Sequence, residues 1–566
     1  MGQVSDGAVL DLAVLLFLIR SELGVLDFEG YIPETLAEGY SYLLFQYSQR
    51  VGANTADLGG IDPERIRKEE YFQLIKDATS IRQFWAWEFL VDYFGYRCRC
   101  DDDGIFRIEA PNSEFQKALR WGFIATSIQT TNFLAKADNE KAMSLRATGH
   151  ALLKVMQAKG LVQKRENPHR WAFDFPGAEK LREFVKSEKY FREELTGLSQ
   201  GAKELFVSIP TLENFEIGGV KIATLIRCQR LINLLRFAAG KFFASQIRTQ
   251  AVTIAQSLIP VFSREQLLSL LEFGSSRSEA ERVLELLAWN REKAKVFDAM
   301  YQPLIEMNKD MFMVPMNMFG SADLVRNLLM LNEQRLSDGK SDPLGRLFKD
   351  VLSSATPHAD CDRKYKFAGE NGDIEKGDID SIALIGTTLF IFECKNSLHP
   401  CSTFELRTSW DYMLHAQEQL DRFLRLWVQP EFRNLMSQKL DWDLSGVSEV
   451  VSCIVTGNRM FNGIRLGSHS VRSFYELGNF ILDGAVIIFD QKVNLRTDGP
   501  LTAEALKKYI QSDLSHKKIF AALLRDDMKV NFGDTQVFAE DYHLDLATLA
   551  AEFGVPLPSE IHNSEE

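Results

Sequence analysis

Three carboxylates and a lysine set the chemistry open to this chain. Asp378 and Asp380 alternate in GDID, Glu393 and Lys395 alternate in ECK, and Gly386-Thr387 falls midway between the two groups. Glycine at the first position of a two-residue turn suits the type II′ geometry that joins antiparallel strands. Taking Gly386 and Thr387 as that turn pairs Ile385 with Thr388, sets Asp380 opposite Glu393 and sets Asp378 opposite Lys395. Side chains alternate along a strand, so all four would leave the same face, with opposing Cβ atoms about 5 Å apart. Facing carboxylates repel, and the apolar run around Phe390, Ile391 and Phe392 argues for a buried strand, where uncompensated charge is costly. A hard divalent cation resolves the conflict: Mg²⁺ takes one or two carboxylates, keeps several waters and completes its shell with substrate phosphate. The chemistry implied is phosphodiester hydrolysis. A metal lowers the pKa of a bound water and neutralises developing charge, while the Lys395 ammonium positions that water or stabilises the same charge. Mg²⁺ is the expected cofactor, with Mn²⁺ as a substitute.

The elements that must position these groups can be read around them. Asp342 followed by Pro343 is a helix start, with an N-cap residue before proline at the first helical position, leading into LGRLFKDVLSS. RKYKFAGE, the hairpin signal Asn371-Gly372, DIEKGDIDSIALI, Gly386-Thr387 and TLFIFECKN then read as a three-strand meander. A helix over residues 409–427 and a strand EVVSCIVTG follow. The expected order is helix, three strands, helix, strand.

Gly377-Asp378-Ile379-Asp380 followed by Glu393-Cys394-Lys395 resembles the motif of the PD-(D/E)XK (restriction-endonuclease-like) nucleases, and the element order is similar to the core that superfamily shares. The resemblance covers about 150 residues, 340–490. It implies that Asp380 and Glu393 are metal ligands together with the backbone carbonyl of Cys394, and that Lys395 is the catalytic lysine. Ile379 stands where the name-giving proline would be. The glutamine-tyrosine motif that some exonuclease-like members carry on the second helix is not clearly matched, since Gln417 precedes Asp421 by four residues and Gln419 precedes Phe423. Some members add an acidic residue from the first helix, for which Asp350 is the candidate.

The remaining chain gives a broader picture. With 45% hydrophobic and 25% charged residues over 566 positions, it has the balance of an ordinary folded protein with several domains. The apolar run at 13–19 is too short for a membrane helix and lacks a preceding basic segment, and seven scattered cysteines suit reduced thiols, so a cytoplasmic protein with no membrane association is expected. Amphipathic helices are expected at 10–19 and 32–47. A helix over 147–158 runs into a hairpin turning at Asn167-Pro168, with a basic tip of Lys164, Arg165, His169 and Arg170. That order resembles a winged-helix module, the alternative being a helix packed on any small sheet. LEFGSSRSEAERVLELLAW reads as a Ser-capped helix, and LIEMNKDMFMVP as a hairpin around Asn308-Lys309. The expected fold class is thus an α/β C-terminal domain with a mixed sheet, joined to a large, mainly α-helical N-terminal region. Its divisions would be a helical domain over 1–110, the winged-helix-like module over 111–176, a helical domain with a basic helix over 177–337, the α/β domain over 338–495, and a helical extension with an acidic tail over 496–566.

A net charge of −13 argues against a globally basic surface but leaves room for a local one. Residues 218–264 contain no Asp or Glu yet seven cations, and on one continuous helix Arg227, Arg230, Lys241 and Arg248 would form a stripe. It is a candidate for phosphate contacts, or else a solvated face or a contact with an acidic neighbour. Three weaker groups remain. Cys394, His399 and Cys401 are too few and wrongly spaced for a structural zinc site. His358, Asp360 and Asp362 precede the first strand and either border the cleft or form a solvated loop. Gly339-Lys340-Ser341 lacks the earlier glycine of a phosphate-binding loop. The reading that follows is a Mg²⁺-dependent endonuclease with DNA favoured over RNA, and by analogy a regulated effector in bacterial antiviral defence. Its rivals are a catalytically inactive nucleic-acid-binding module, and an interaction protein whose helical region recruits a protein partner or a second copy.

Overall fold

The structure, a computed structural model, describes most of residues 69–331 and 343–557 and a few residues between 38 and 46. The helix expected at 10–19, much of that at 32–47, Asp342, Gly339-Lys340-Ser341, the turns at Asn167-Pro168 and Asn371-Gly372, and the acidic tail lie outside the described residues.

The chain divides into two compact units: residues 1–85, 130–203 and 207–336, and residues 86–129, 204–206 and 337–566. These units divide near 85, 129, 203, 206 and 336 rather than at 110 or 176. Phe106–Glu109 pairs in parallel with Thr535–Ala539, so the hairpin it forms with Arg97–Cys100 completes a four-stranded sheet with Met528–Phe532. The expected helical extension is also corrected. Ala503–Ser512 and Leu514–Ala521 are helices, but four strands between Leu523 and Leu544 follow them, before a last helix at Leu546–Phe553. Pairing between segments some 400 residues apart leaves no trace in local periodicity.

In the first unit Ile222–Ala255 is one continuous helix of 34 residues. Leu145–Ala158 lies against it so closely that a Cβ on Gly149 would come within 2.6 Å of Phe237 Cβ. Val162–Glu166 and His169–Phe173 form the expected hairpin after it, as an isolated two-stranded sheet. Ser276 caps Arg277–Leu287 through a reciprocal capping box with Glu279. Leu304–Asn308 and Met311–Met313 pair as the expected hairpin, with Asn308 in the strand opposite Met311 rather than in the turn, and gain Val261–Ser263 and Ala288–Trp289 as outer strands.

The second unit is built on a six-stranded mixed sheet. In chain order its elements are α1 (Pro343–Ser353), β1 (Ala359–Ala368), β2 (Ile374–Ile385), β3 (Thr388–Lys395), α2 (Thr403–Trp427), α3 (Pro430–Leu440), β4 (Glu449–Thr456), β5 (Arg465–Leu466), β6 (His469–Ser473) and α4 (Phe474–Asp483). The strands stand in the order β1-β2-β3-β4-β6-β5; β3, β4 and β6 run parallel, and the other neighbours are antiparallel. The expected elements follow in the expected order with one addition, the helix α3 between α2 and β4, and they belong to a larger sheet. β3 is buried along its length up to Cys394, as a central strand covered on both faces should be. On one side Phe390 and Phe392 pack with Leu344, Phe348 and Leu352 of α1 and Leu477 and Phe480 of α4. On the other, Leu389 and Ile391 pack beneath Met413, Ala416 and Leu420 of α2. Each such fully buried large side chain contributes about 1.5–3 kcal/mol, which fixes the sheet between its helices. α2 begins six residues before its expected start because Ser402 accepts a bond from the Glu405 N–H at 3.3 Å, while the Glu405 carboxylate accepts from Cys401 N–H at 2.8 Å.

Candidate active site

The turn at Gly386 sets the register of β2 on β3. Gly386 has φ +60°, and Ile385 pairs with Thr388, Leu384 with Leu389, Ala383 with Phe390, Ile382 with Ile391 and Ser381 with Phe392. Pairing stops there, one step short of Asp380 and Glu393. On its other side β2 skips a pair at the same place: Cys361 faces Ser381 and Arg363 faces Ile379, but Asp362, with φ +53°, is out of the ladder opposite Asp380. Ile379 and Ile382 both enter the core beneath α2 although they are three residues apart, so strict alternation breaks at Asp380–Ser381. The sequence has all four charged groups leave one face by regular alternation, and the structure corrects that expectation: the alternation does not run through Asp380. The strands part at the step where the two carboxylates would face each other.

What fills the gap is a polar network. Asp380 Oδ2 accepts the Cys394 N–H at 2.8 Å, taking the place of a ladder carbonyl. Lys395 Nζ donates to Glu393 Oε2 at 3.1 Å and stands 3.7 Å from Asp380 Oδ2. It also donates to Gln419 Oε1 of α2 at 2.8 Å, and Gln419 Nε2 donates to Asp378 Oδ1 at 3.1 Å. An ammonium only donates and a carboxylate only accepts, so the Gln419 amide has one orientation that satisfies both. Asp378 thus meets Lys395 through Gln419 rather than directly. Gln419 has no tyrosine four residues on, so the glutamine-tyrosine pattern does not single it out; its spacing to Phe423 is the one sequence signal for it.

Two further contacts hold the frame. Gly345 of α1 passes so near Asp380 that a Cβ would lie 3.2 Å from its backbone oxygen, and Ser381 Oγ donates to Gly345 O at 2.8 Å. Beneath α2, the buried His469 of β6 joins Asp421 Oδ1 at 2.9 Å to Ser452 Oγ of β4 at 2.6 Å, two residues beyond Gln419. This bridge ties the helix to the sheet at the turn that carries Gln419.

Burial shapes the electrostatics. Glu393 is 1% exposed, and burial followed by the adjacent Asp380 charge pushes its carboxyl well above the usual carboxylate range, with Lys395 offsetting only part. Burial alone would lower the Lys395 pKa, but Glu393 and Asp380 outweigh it and raise the ammonium above its ordinary value. The site is a pair of adjacent carboxylates beside a lysine that stays protonated at neutral pH.

The other candidates lie elsewhere. The Cys394 side chain is in the core beneath α1. Asp350 points outward, its side chain 69% exposed and paired with Lys349 at 3.4 Å. Asp360 and Asp362 belong to β1 itself, bonded to Arg363 at 2.6 Å and facing Arg346 at 3.8 Å, while the His358 ring rests against Trp442. His399 packs edge-on against Phe123, and Cys401 is exposed. Among the described residues no three His, Cys, Asp or Glu side chains are grouped to hold a metal ion, and no helix is long and apolar enough to cross a membrane. On the long helix of the first unit Arg227 and Lys241 are exposed, and the Arg248 side chain lies outside the described residues. Arg230 is internal and leaves the expected stripe. It is 3% exposed and forks onto Glu194 at 2.6 and 2.7 Å, with its remaining donors on the carbonyls of Val185, Ser187 and neighbours. Comparison of the chain with family models, with curated proteins and with solved structures found no match.

Proposed function

We propose that Asp380, Glu393 and Lys395 are the catalytic residues of a Mg²⁺-dependent endonuclease that hydrolyses nucleic-acid phosphodiester bonds, with DNA the favoured substrate. The observation that carries this reading is the convergence of two carboxylates on the Lys395 ammonium where the paired strands β2 and β3 separate. The donor set fits a hard divalent cation: two adjacent carboxylates, one too buried to ionise cheaply beside the other, gain most from a positive charge between them. Asp380 and Glu393 would hold it, with the Cys394 carbonyl as the third group implied by the motif. When bound, such a cation supplies an activated water and charge neutralisation at the phosphate.

The chain's own residues supply the rest. Lys395, protonated and fixed from the opposite side by Gln419, offers N–H donors to a non-bridging phosphate oxygen or to the attacking water, and stabilises negative charge as it builds. Its raised pKa suits it to that electrostatic role and not to proton abstraction at neutral pH. Asp378 fixes the far side of the Gln419 amide and so keeps Lys395 in place. The first unit would serve recognition, regulation or association with a partner or a second copy.

Plasmid cleavage tests the reading. The wild-type protein should cut with Mg²⁺ or Mn²⁺ and stop with EDTA, and Lys395→Ala should lose on the order of 10²–10³-fold in rate, the usual cost of a charge-stabilising donor. Equal cleavage by both proteins would remove Lys395 from the mechanism. Single-stranded, double-stranded and branched DNA beside RNA, in the same assay, decide the substrate.

A further inference from the structure

Past Asp380, β1 and β2 continue as a ribbon of their own. β3 pairs with β2 only from Thr388 to Phe392, whereas β1 and β2 stay paired from Arg363 and Ile379 out to Ala368 and Ile374. One face of this ribbon is packed: Tyr365 is buried against Phe423 of α2 and Phe432 of α3, and Phe367 also meets Phe432. Alternation puts Lys364, Lys366, Lys376 and Asp378 on the other face, and all four are exposed. Lys366 stands directly opposite Lys376, and Lys364 directly opposite Asp378.

Like charges in directly opposed positions destabilise a strand pair. Neighbouring arginines are matched, Arg363 to Asp360, Arg346 to Asp362 and Arg425 to Glu375. Lys364, Lys366 and Lys376 have no ion-pair partner among the described residues. In a chain of net charge −13 this is a local surplus of cations on an exposed face. It also leads into the site, because Asp378, opposite Lys364, accepts from Gln419, which accepts from Lys395.

We propose that this lysine face grips the backbone of duplex DNA beside the scissile phosphate, an inference that rests on the nuclease reading for its substrate. The argument is charge complementarity. Duplex DNA carries one negative charge per about 1.7 Å of its axis, so three ammonium groups whose strand positions lie within about 7 Å meet several phosphates at once. A polyanion laid across the ribbon turns the repulsion between Lys366 and Lys376 into shared attraction.

The test is binding without chemistry. Wild type and the triple variant Lys364→Glu, Lys366→Glu, Lys376→Glu are titrated in EDTA against a labelled DNA duplex over a range of salt, with a duplex RNA of the same sequence in parallel. The variant should bind DNA at least about ten-fold more weakly, and the slope of log affinity against log salt should shrink by about 0.9 per lysine removed. Its thermal midpoint should fall by no more than a few degrees, because the opposed positions 366 and 376 stay like-charged while position 364 comes to face Asp378 with the same sign, and binding is measured below the melt. Unchanged affinity and slope, no wild-type affinity for duplex DNA, or an effect confined to RNA would each overturn the proposal. Neither metal nor cleavage enters the measurement, so lysine-dependent binding by a protein that fails to cut plasmid would sink the nuclease reading and leave the binding face standing.

Discussion

Glu393 lies on a central strand among apolar neighbours, yet it is an acid next to an acid. Its raised pKa has a thermodynamic consequence whose sign is fixed. A carboxyl whose folded pKa exceeds its unfolded value contributes stability that is complete below the ordinary carboxylate range and lost as pH rises through the folded value. Metal-free protein should therefore lose stability from mildly acidic pH towards neutrality, and Glu393→Gln, which never ionises at that position, should lose less, other buried carboxyls such as Glu194 and Asp541 keeping their share. The variant carries a fixed offset from its weaker bond to Lys395. Its thermal midpoint minus that of wild type should nonetheless climb with pH, by a few degrees over the window, since about 1 kcal/mol moves a domain of this size by roughly 2–4 °C. A difference that stays flat or falls with pH would show that burial and Asp380 do not govern the group. Added Mg²⁺ should stabilise wild type in proportion to the logarithm of its concentration and leave Glu393→Gln nearly unaffected. Chelation should restore the metal-free behaviour, a sequence that differential scanning fluorimetry follows directly.

Between elements, the critical approach is that of α1 to β2. Gly345 lets the helix backbone lie against Asp380, and the space a side chain would need is occupied by a backbone oxygen that cannot swing aside. Gly345→Ala should be tolerated with a small shift, whereas Gly345→Val should cost about 1–3 kcal/mol through overpacking and displace the Asp380 carboxylate from the Cys394 N–H. Thermal melts and plasmid cleavage on the two variants should fall together and in that order; a valine variant as stable and active as wild type would separate the helix from the site. This contact also marks the limit of what the sequence discloses. The glycine turn, the register of five strand pairs and the order of elements follow from local patterns, because turn type and side-chain alternation are encoded in neighbouring residues. The parting of the strands at Asp380 does not, since there the Asp380 carboxylate takes the Cys394 N–H and the network is completed by Lys395 and by Gln419 from another element. The early start of α2 was legible in Ser402 and Glu405, whose spacing is an N-terminal capping pattern. The joining of residues 86–129 to the C-terminal unit was not, because strand pairing across such a distance has no local signature.

Across the whole molecule, cations are sorted into two uses that net charge and helical spacing alone do not separate. Lys364, Lys366 and Lys376 face solvent with no ion-pair partner among the described residues, while Arg230, one of a stripe with the same apparent character, spends all its donors inside the first unit. There it joins Glu194 on Arg192–Glu204 to the carbonyls that follow Glu179–Val185, with its guanidinium 5.0 Å from the centre of the Phe191 ring. Burial pushes the Glu194 carboxyl up and Arg230 only partly offsets it, so truncating the arginine strands an acid in the interior. Arg230→Ala should therefore lower stability by about 3–5 kcal/mol, and Arg230→Lys should recover little, since a single ammonium cannot reproduce the planar fork. Neither change should alter the salt dependence of duplex binding measured below the melting transition, in contrast to the ribbon lysines. Calorimetry and binding isotherms on the same preparations distinguish the two roles. An Arg230→Ala protein with the wild-type melting temperature and a smaller salt slope would place that side chain on a phosphate-facing surface, and the division of cations between interior and ribbon would fail with it.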